Sequence, residues 1–97
     1  MYVKFHKSND RYIVAISDDD LIGKEISEGD LNLNITERFY KGDIKSNEEI
    51  IKIMKDSLNL NIVGKNSIKL AITAGILEED SIIKIDGVPH AQVFKLG

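Results

Sequence analysis

Ile82-Ile83-Lys84-Ile85-Asp86-Gly87-Val88-Pro89-His90-Ala91-Gln92-Val93-Phe94-Lys95-Leu96 is the stretch that decides the fold class. Asp-Gly suits the two positive φ angles at the centre of a type I′ turn, so the apolar runs flanking Asp86-Gly87 are expected to pair as a hairpin. Pro89 stands where a strand opens, a place that needs no donated ladder bond.

Working outward, Tyr2-Val3-Lys4-Phe5-His6 and Arg11-Tyr12-Ile13-Val14-Ala15-Ile16 predict a second hairpin around Ser8, Asn9 and Asp10. Both side-chain parities of the second strand are apolar, as in a strand covered on two faces. Ser17 followed by Asp18, Asp19 and Asp20 resembles a helix N-cap with acids in its first turn. A short helix carrying Ile22 and Ile26 and ending at Gly29 is therefore expected. Leu31 through Thr36 alternates strictly, which predicts a strand burying Leu31, Leu33 and Ile35.

Ser46 and Glu49 form a capping-box pair ahead of the stripe Ile50, Ile51, Met54 and Leu58, so a helix starts there. Gly64 precedes a further helical pattern over 65–75, with Gly75-Ile76 as a left-handed cap and its apolar follower. The resulting order, β-β-α-β-α-α-β-β, mixes hairpins with local helices. It predicts a single small α+β domain over residues 1–97.

At 97 residues the chain can bury one core. No apolar run approaches the roughly 20 residues of a membrane-spanning helix, and the start lacks a signal-peptide pattern; a cytoplasmic protein without membrane contact is expected. The absence of cysteine excludes disulfides, thiolate metal sites and cysteine nucleophiles. A net charge of −3 argues against broad electrostatic attachment to nucleic acid, though not against a local basic patch.

Three places invite a chemical reading. On the terminal hairpin His90 and Gln92 share a strand face with Val88 and Phe94, and an imidazole beside a carboxamide can bind a base edge, a peptide group or a small polar ligand. The alternative is a half-buried histidine fixing the sheet. In Glu37-Arg38-Phe39-Tyr40-Lys41-Gly42 two aromatics stand between two cations, a pattern suited to stacking RNA bases with Lys41 on phosphate, or simply to structure. Gly64-Lys65-Asn66-Ser67 at a helix start could hold an anion on free backbone amides. Asp18-Asp19-Asp20 lacks the spacing of a calcium loop, and no metal or cofactor is expected. Neither a nucleophile elbow nor a phosphate loop nor a paired-histidine motif is present.

The segments Glu37-Arg38-Phe39-Tyr40, Asn61-Ile62-Val63-Gly64, Leu70-Ala71-Ile72 with Gly75, and Gly87-Val88-Pro89-His90-Ala91-Gln92, in this order, resemble the archaeal family called domain of unknown function 424. The likeness spans nearly the whole chain. It implies an archaeal cytosolic protein of no known activity, and it points to Arg38, Phe39, Tyr40, Gly64, His90 and Gln92 as residues of interest.

The leading expectation is a non-enzymatic binding module contacting RNA, a ribonucleoprotein or the translation machinery through Arg38, Tyr40, Lys41, His90 and Gln92. Two alternatives stand beside it. One is an enzyme using His90 as acid/base; the other is a homo-oligomerisation or protein-partner domain in which Phe94, Tyr40 and the terminal strand form the interface.

Overall fold

A computed structural model describes residues 1–96. Along the chain come β1 (Tyr2–Ser8), β2 (Arg11–Ser17), β3 (Glu25–Glu28), β4 (Leu31–Asn34), α1 (Glu37–Tyr40), β5 (Asp43–Ile44), α2 (Asn47–Asp56), β6 (Asn59–Val63), α3 (Lys65–Thr73), β7 (Ile83–Ile85) and β8 (Val88–Phe94). Single 3-10 turns occupy Asp19–Leu21 and Glu79–Ser81.

Six strands form one sheet in the order β5-β1-β2-β6-β8-β7, while β3 and β4 make a separate hairpin. Every pairing is antiparallel except that of β2 with β6, which is parallel and joins the two halves of the sheet. On one face Val3, Val14, Ile16, Leu60, Ile62 and Ala91 pack with Ile50 and Met54 of α2 and Ile68 and Ala71 of α3. On the other, Ala15, Val63 and Ile85 are covered by Leu21, Ile26, Ile35 and Tyr40 from the β3–β4 hairpin and its flanks. The result is a three-layer α+β fold. Apolar area leaves water on both sides of β2 and β6, which explains why both parities of β2 are apolar.

The predicted hairpins are both present, and Asp86 (φ 50°) and Gly87 (φ 80°) take the two positive angles of the tight turn. The Ser46–Glu49 capping box is complete at the start of α2. Gly75 (φ 74°) ends α3, with the Ile76 amide donating to the Ala71 carbonyl.

Three expectations are corrected. The segment after Ser17 is not a helix: after the 3-10 turn it becomes β3, and Gly29 (φ 60°) turns β3 into β4 instead of ending a helix. Over Glu25–Glu28 only Ile26 is buried, and the pairing of all four residues with Leu31–Asn34 prevails over the four-residue spacing of Ile22 and Ile26. Leu31 is exposed: it opens β4 beside the turn, opposite Glu28, and β4 pairs only with β3. Leu58 lies past the end of α2 and is also exposed. The structure further contains β6, α1 and β5, which the predicted order lacked.

Asp18 caps a helix, but a distant one. Its Oδ1 accepts from the Ser67 amide at 2.8 Å and the Ser67 hydroxyl at 2.6 Å, and its Oδ2 accepts from the Asn66 amide at 3.0 Å. Gly64 occupies the N-cap position of α3 and has no side chain to supply, so the carboxylate at the end of β2 satisfies the free amides in its place. The anion that the Gly64-Lys65-Asn66-Ser67 segment was expected to hold is thus the protein's own. A Cβ at Gly64 would lie 2.3 Å from Asp18 Cγ, on a backbone with φ of 110°.

Two substitutions test this joint. Gly64→Ala should cost about 2 kcal/mol or more through left-handed strain and the clash with Asp18. Asp18→Ala should cost about 1–3 kcal/mol through loss of charge-assisted bonds at the amides. Urea unfolding of each full-length variant measures both, and an Asp18→Ala midpoint equal to wild type would contradict the assignment.

Candidate functional site

Thr36 caps α1, its Oγ1 accepting from the Phe39 amide at 3.1 Å. This short helix aims its two rings differently. Phe39 is half-buried and stacks on His6 with ring centroids 4.5 Å apart and planes 12° from parallel. Tyr40 is buried, edge-on to Phe39. His6 Nε2 donates to the Phe39 carbonyl at 2.7 Å, and Lys4 Nζ donates to the Arg38 carbonyl. β1 therefore holds α1 by its own side chains.

The Tyr40 hydroxyl donates to Asn61 Oδ1 at 2.6 Å. His90 Nε2 lies 2.9 Å from the same oxygen. A carbonyl oxygen only accepts, so His90 carries its proton on Nε2 and leaves Nδ1 as an acceptor. Burial pushes the Tyr40 phenol up to about 12 and moves His90 below the ordinary histidine value. Both rings are thus held neutral around one carboxamide, joining α1, β6 and β8.

The strand register shows what surrounds this triad. Lys4, Ala15, Asn61 and Gln92 form one cross-strand row on a single face. The next row toward the open end of that face holds His6, Ile13, Asn59 and Phe94. Gln92 is exposed and Phe94 is 71% exposed, while His6, Ile13, Asn59 and Asn61 are half-buried. Arg11 has the same parity as Ile13 and is exposed at the hairpin end. Side chains with paired donors and acceptors, an open ring and peripheral cations therefore share one end of the sheet.

The expected site is brought together only in part. His90 and Gln92 do share a face, as expected, and Phe39 lies over the same side. Tyr40 is no stacking platform: its ring fills the core and its hydroxyl is committed to Asn61. Arg38 on α1 and Lys41 just after it are exposed, and Lys41 lies 3.9 Å from Glu37, a weak surface pair. Gly64 belongs to the α3 joint and not to this face. His90 faces a carboxamide where a catalytic histidine would need a carboxylate or a substrate. Asn61 is the residue that sequence reasoning did not single out. The alternation of Leu58-Asn59-Leu60-Asn61-Ile62 was the signal that would have found both it and β6.

The His90 environment predicts a pH dependence. Its pKa is depressed in the folded state, while in the unfolded chain it titrates near the ordinary value of about 6.5. Between those two values the unfolded state binds more protons, so stability rises with pH there. The contribution is complete above about pH 6.5 and is lost as the pH falls below that value. Urea midpoints should drop on acidification from about pH 7.5 to about pH 5.5, and His90→Gln, which retains a donor for Asn61, should drop less. Equal slopes for the two proteins would contradict this reading of His90.

The family model described as "Protein of unknown function (DUF424)" matches residues 6–96. No curated protein matches the chain. Among solved structures, the crystal structure of an uncharacterized conserved protein from Methanopyrus kandleri is similar, with a TM-score of 0.78 and 25% sequence identity over 99% of this chain and 93% of that one. Agreement in architecture over this whole length accompanies the family match, and the chain belongs to the DUF424 family of proteins of unknown function.

Proposed function

We propose that the protein is a non-enzymatic binding module that takes single-stranded RNA, alone or within a ribonucleoprotein such as the translation machinery, on the open end of its sheet. The observation that carries this reading is the pair of adjacent rows that place the exposed Phe94 ring beside Asn59 and Gln92 on one face. A base can stack on the ring while carboxamides meet its edge, and every base has a stackable face. Arg11 and Arg38 stand at the margins for phosphate. The site so drawn keeps Arg38, Phe39, His90 and Gln92, gives Tyr40 a supporting role, and adds Asn59, Asn61 and Phe94.

The acidic balance of the chain makes the binding weak and base-centred, with few phosphate contacts and a shallow salt dependence. An acid/base role for His90 has less support, because its ring is half-buried and its Nε2 is committed to a neutral carboxamide.

A protein-partner reading is favoured by a different observation. Phe5, Tyr12, Leu58, Phe94 and Leu96 are all exposed around a groove of about 740 Å³ at the same end of the molecule. Apolar surface of this kind is common at interfaces.

Fluorescence anisotropy with a labelled uridine oligonucleotide of about ten residues, at about 50 mM salt, tests the RNA reading. Binding is expected, and Phe94→Ala should weaken it by about fivefold or more while leaving the circular dichroism spectrum unchanged. Absence of binding at low salt, or a Phe94→Ala affinity equal to wild type, would overturn it.

A further inference from the structure

A second surface lies on the opposite face of the sheet. A groove of about 890 Å³ runs between α3 and the β7–β8 hairpin. Its apolar lining comes from Ile68 and Ile72 of α3, Ile82, and Pro89 of β8. Lys65 and Lys69, four apart on α3, and Lys84 on β7 bring three cations to its walls against one acid, Glu79. All three lysines are exposed.

Among the described residues the ion pairs are those of the Met1 ammonium with Asp19, Lys41 with Glu37 and Lys45 with Glu49. None of the groove lysines is neutralised at ion-pair distance. Lys69 also borders a neighbouring cavity lined by Asp18, Asp19 and Asp20, so Lys65 and Lys84 are the cations that belong to the groove alone. On a chain with net charge −3, a local surplus of positive charge beside aliphatic side chains complements an acidic, partly apolar occupant.

The lining also separates two classes of occupant. Recognition of single-stranded nucleic acid rests on aromatic faces for stacking, and among the described residues none that lines this groove is aromatic. Aliphatic side chains flanked by lysines match instead a peptide that alternates acidic and aliphatic residues, with carboxylates at the rim and methyl groups inward.

We propose that the groove between α3 and the β7–β8 hairpin docks an acidic peptide segment of a protein partner, with its carboxylates on Lys65, Lys69 and Lys84 and its aliphatic side chains on Ile68, Ile72 and Ile82. This surface faces away from the Phe94 and Gln92 rows, so one molecule can hold RNA on one side and a protein on the other. It is independent of the RNA reading and survives its failure.

The test uses the full chain and a labelled soluble peptide of about ten residues alternating Glu with Leu, beside a counterpart with Lys in place of Glu. The Glu peptide should bind and the Lys peptide should not. Lys65→Glu or Lys84→Glu alone should weaken binding about threefold, and the double variant about tenfold. Phe94→Ala, which alters the RNA face, should leave peptide affinity unchanged. Equal affinity for the two peptides would overturn the proposal, as would an unchanged double variant. So would displacement of the peptide by the uridine oligonucleotide with the same dependence on Lys65 and Lys84, which would make the groove a nucleic-acid site.

Discussion

The carboxylate of Asp18 on the amides of Asn66 and Ser67 is the contact on which the arrangement of the layers depends. It leaves the end of β2, spans the parallel junction to β6 and sets where α3 begins. Because Gly64 has no side chain and Asp18 occupies the space a Cβ would take, β2 and α3 approach closely. A buried charge is costly when unpaired, and here three donors converge on it. The position of α3 in turn determines the covering of Ile62 and Ala91 and the shape of the groove against the terminal hairpin.

On the other side of the sheet a neutral network does the equivalent task. One oxygen of Asn61 receives both the Tyr40 hydroxyl and the His90 ring, so α1 and β8 are positioned against the same strand. An amide suits this place better than a carboxylate would, since it accepts two bonds without bringing a charge into a half-buried position. The network also fixes the backbone of β8, from which Gln92 and Phe94 project.

Much of the architecture was legible because local signals agreed with tertiary context. Asp86-Gly87, the Ser46–Glu49 box and Gly75-Ile76 each describe a backbone geometry that the chain adopts whatever packs against it. The readings that failed depended on distant partners. Asp18 carried a capping signal, but nothing local indicates that the amides it serves lie beyond β6. Ile22 and Ile26 fit a helix by spacing, and only the pairing of β3 with β4 determines that they form no helix. For the site, the shared face of His90 and Gln92 followed from strand parity alone. The burial of Tyr40 did not, because an adjacent pair of aromatics reads the same whether it meets solvent or a neighbouring asparagine.

The parallel pairing of β2 with β6 also bears on how the molecule comes into being. A hairpin can close as soon as its second strand has been synthesised, and β1–β2 and β3–β4 are of this kind. The middle of the sheet cannot, since β2 must wait for a strand that follows α2, and β8 is needed to cover the far side of β6. Until then the inner edge of β2 and the apolar stripe of α2 have no partners. Non-local closure of this sort is slow and leaves apolar surface open during synthesis. A nascent chain interrupted before β6 is consequently a sticky fragment and not a smaller version of the protein, so β6 and the strands after it decide whether the apolar faces of the earlier elements find cover.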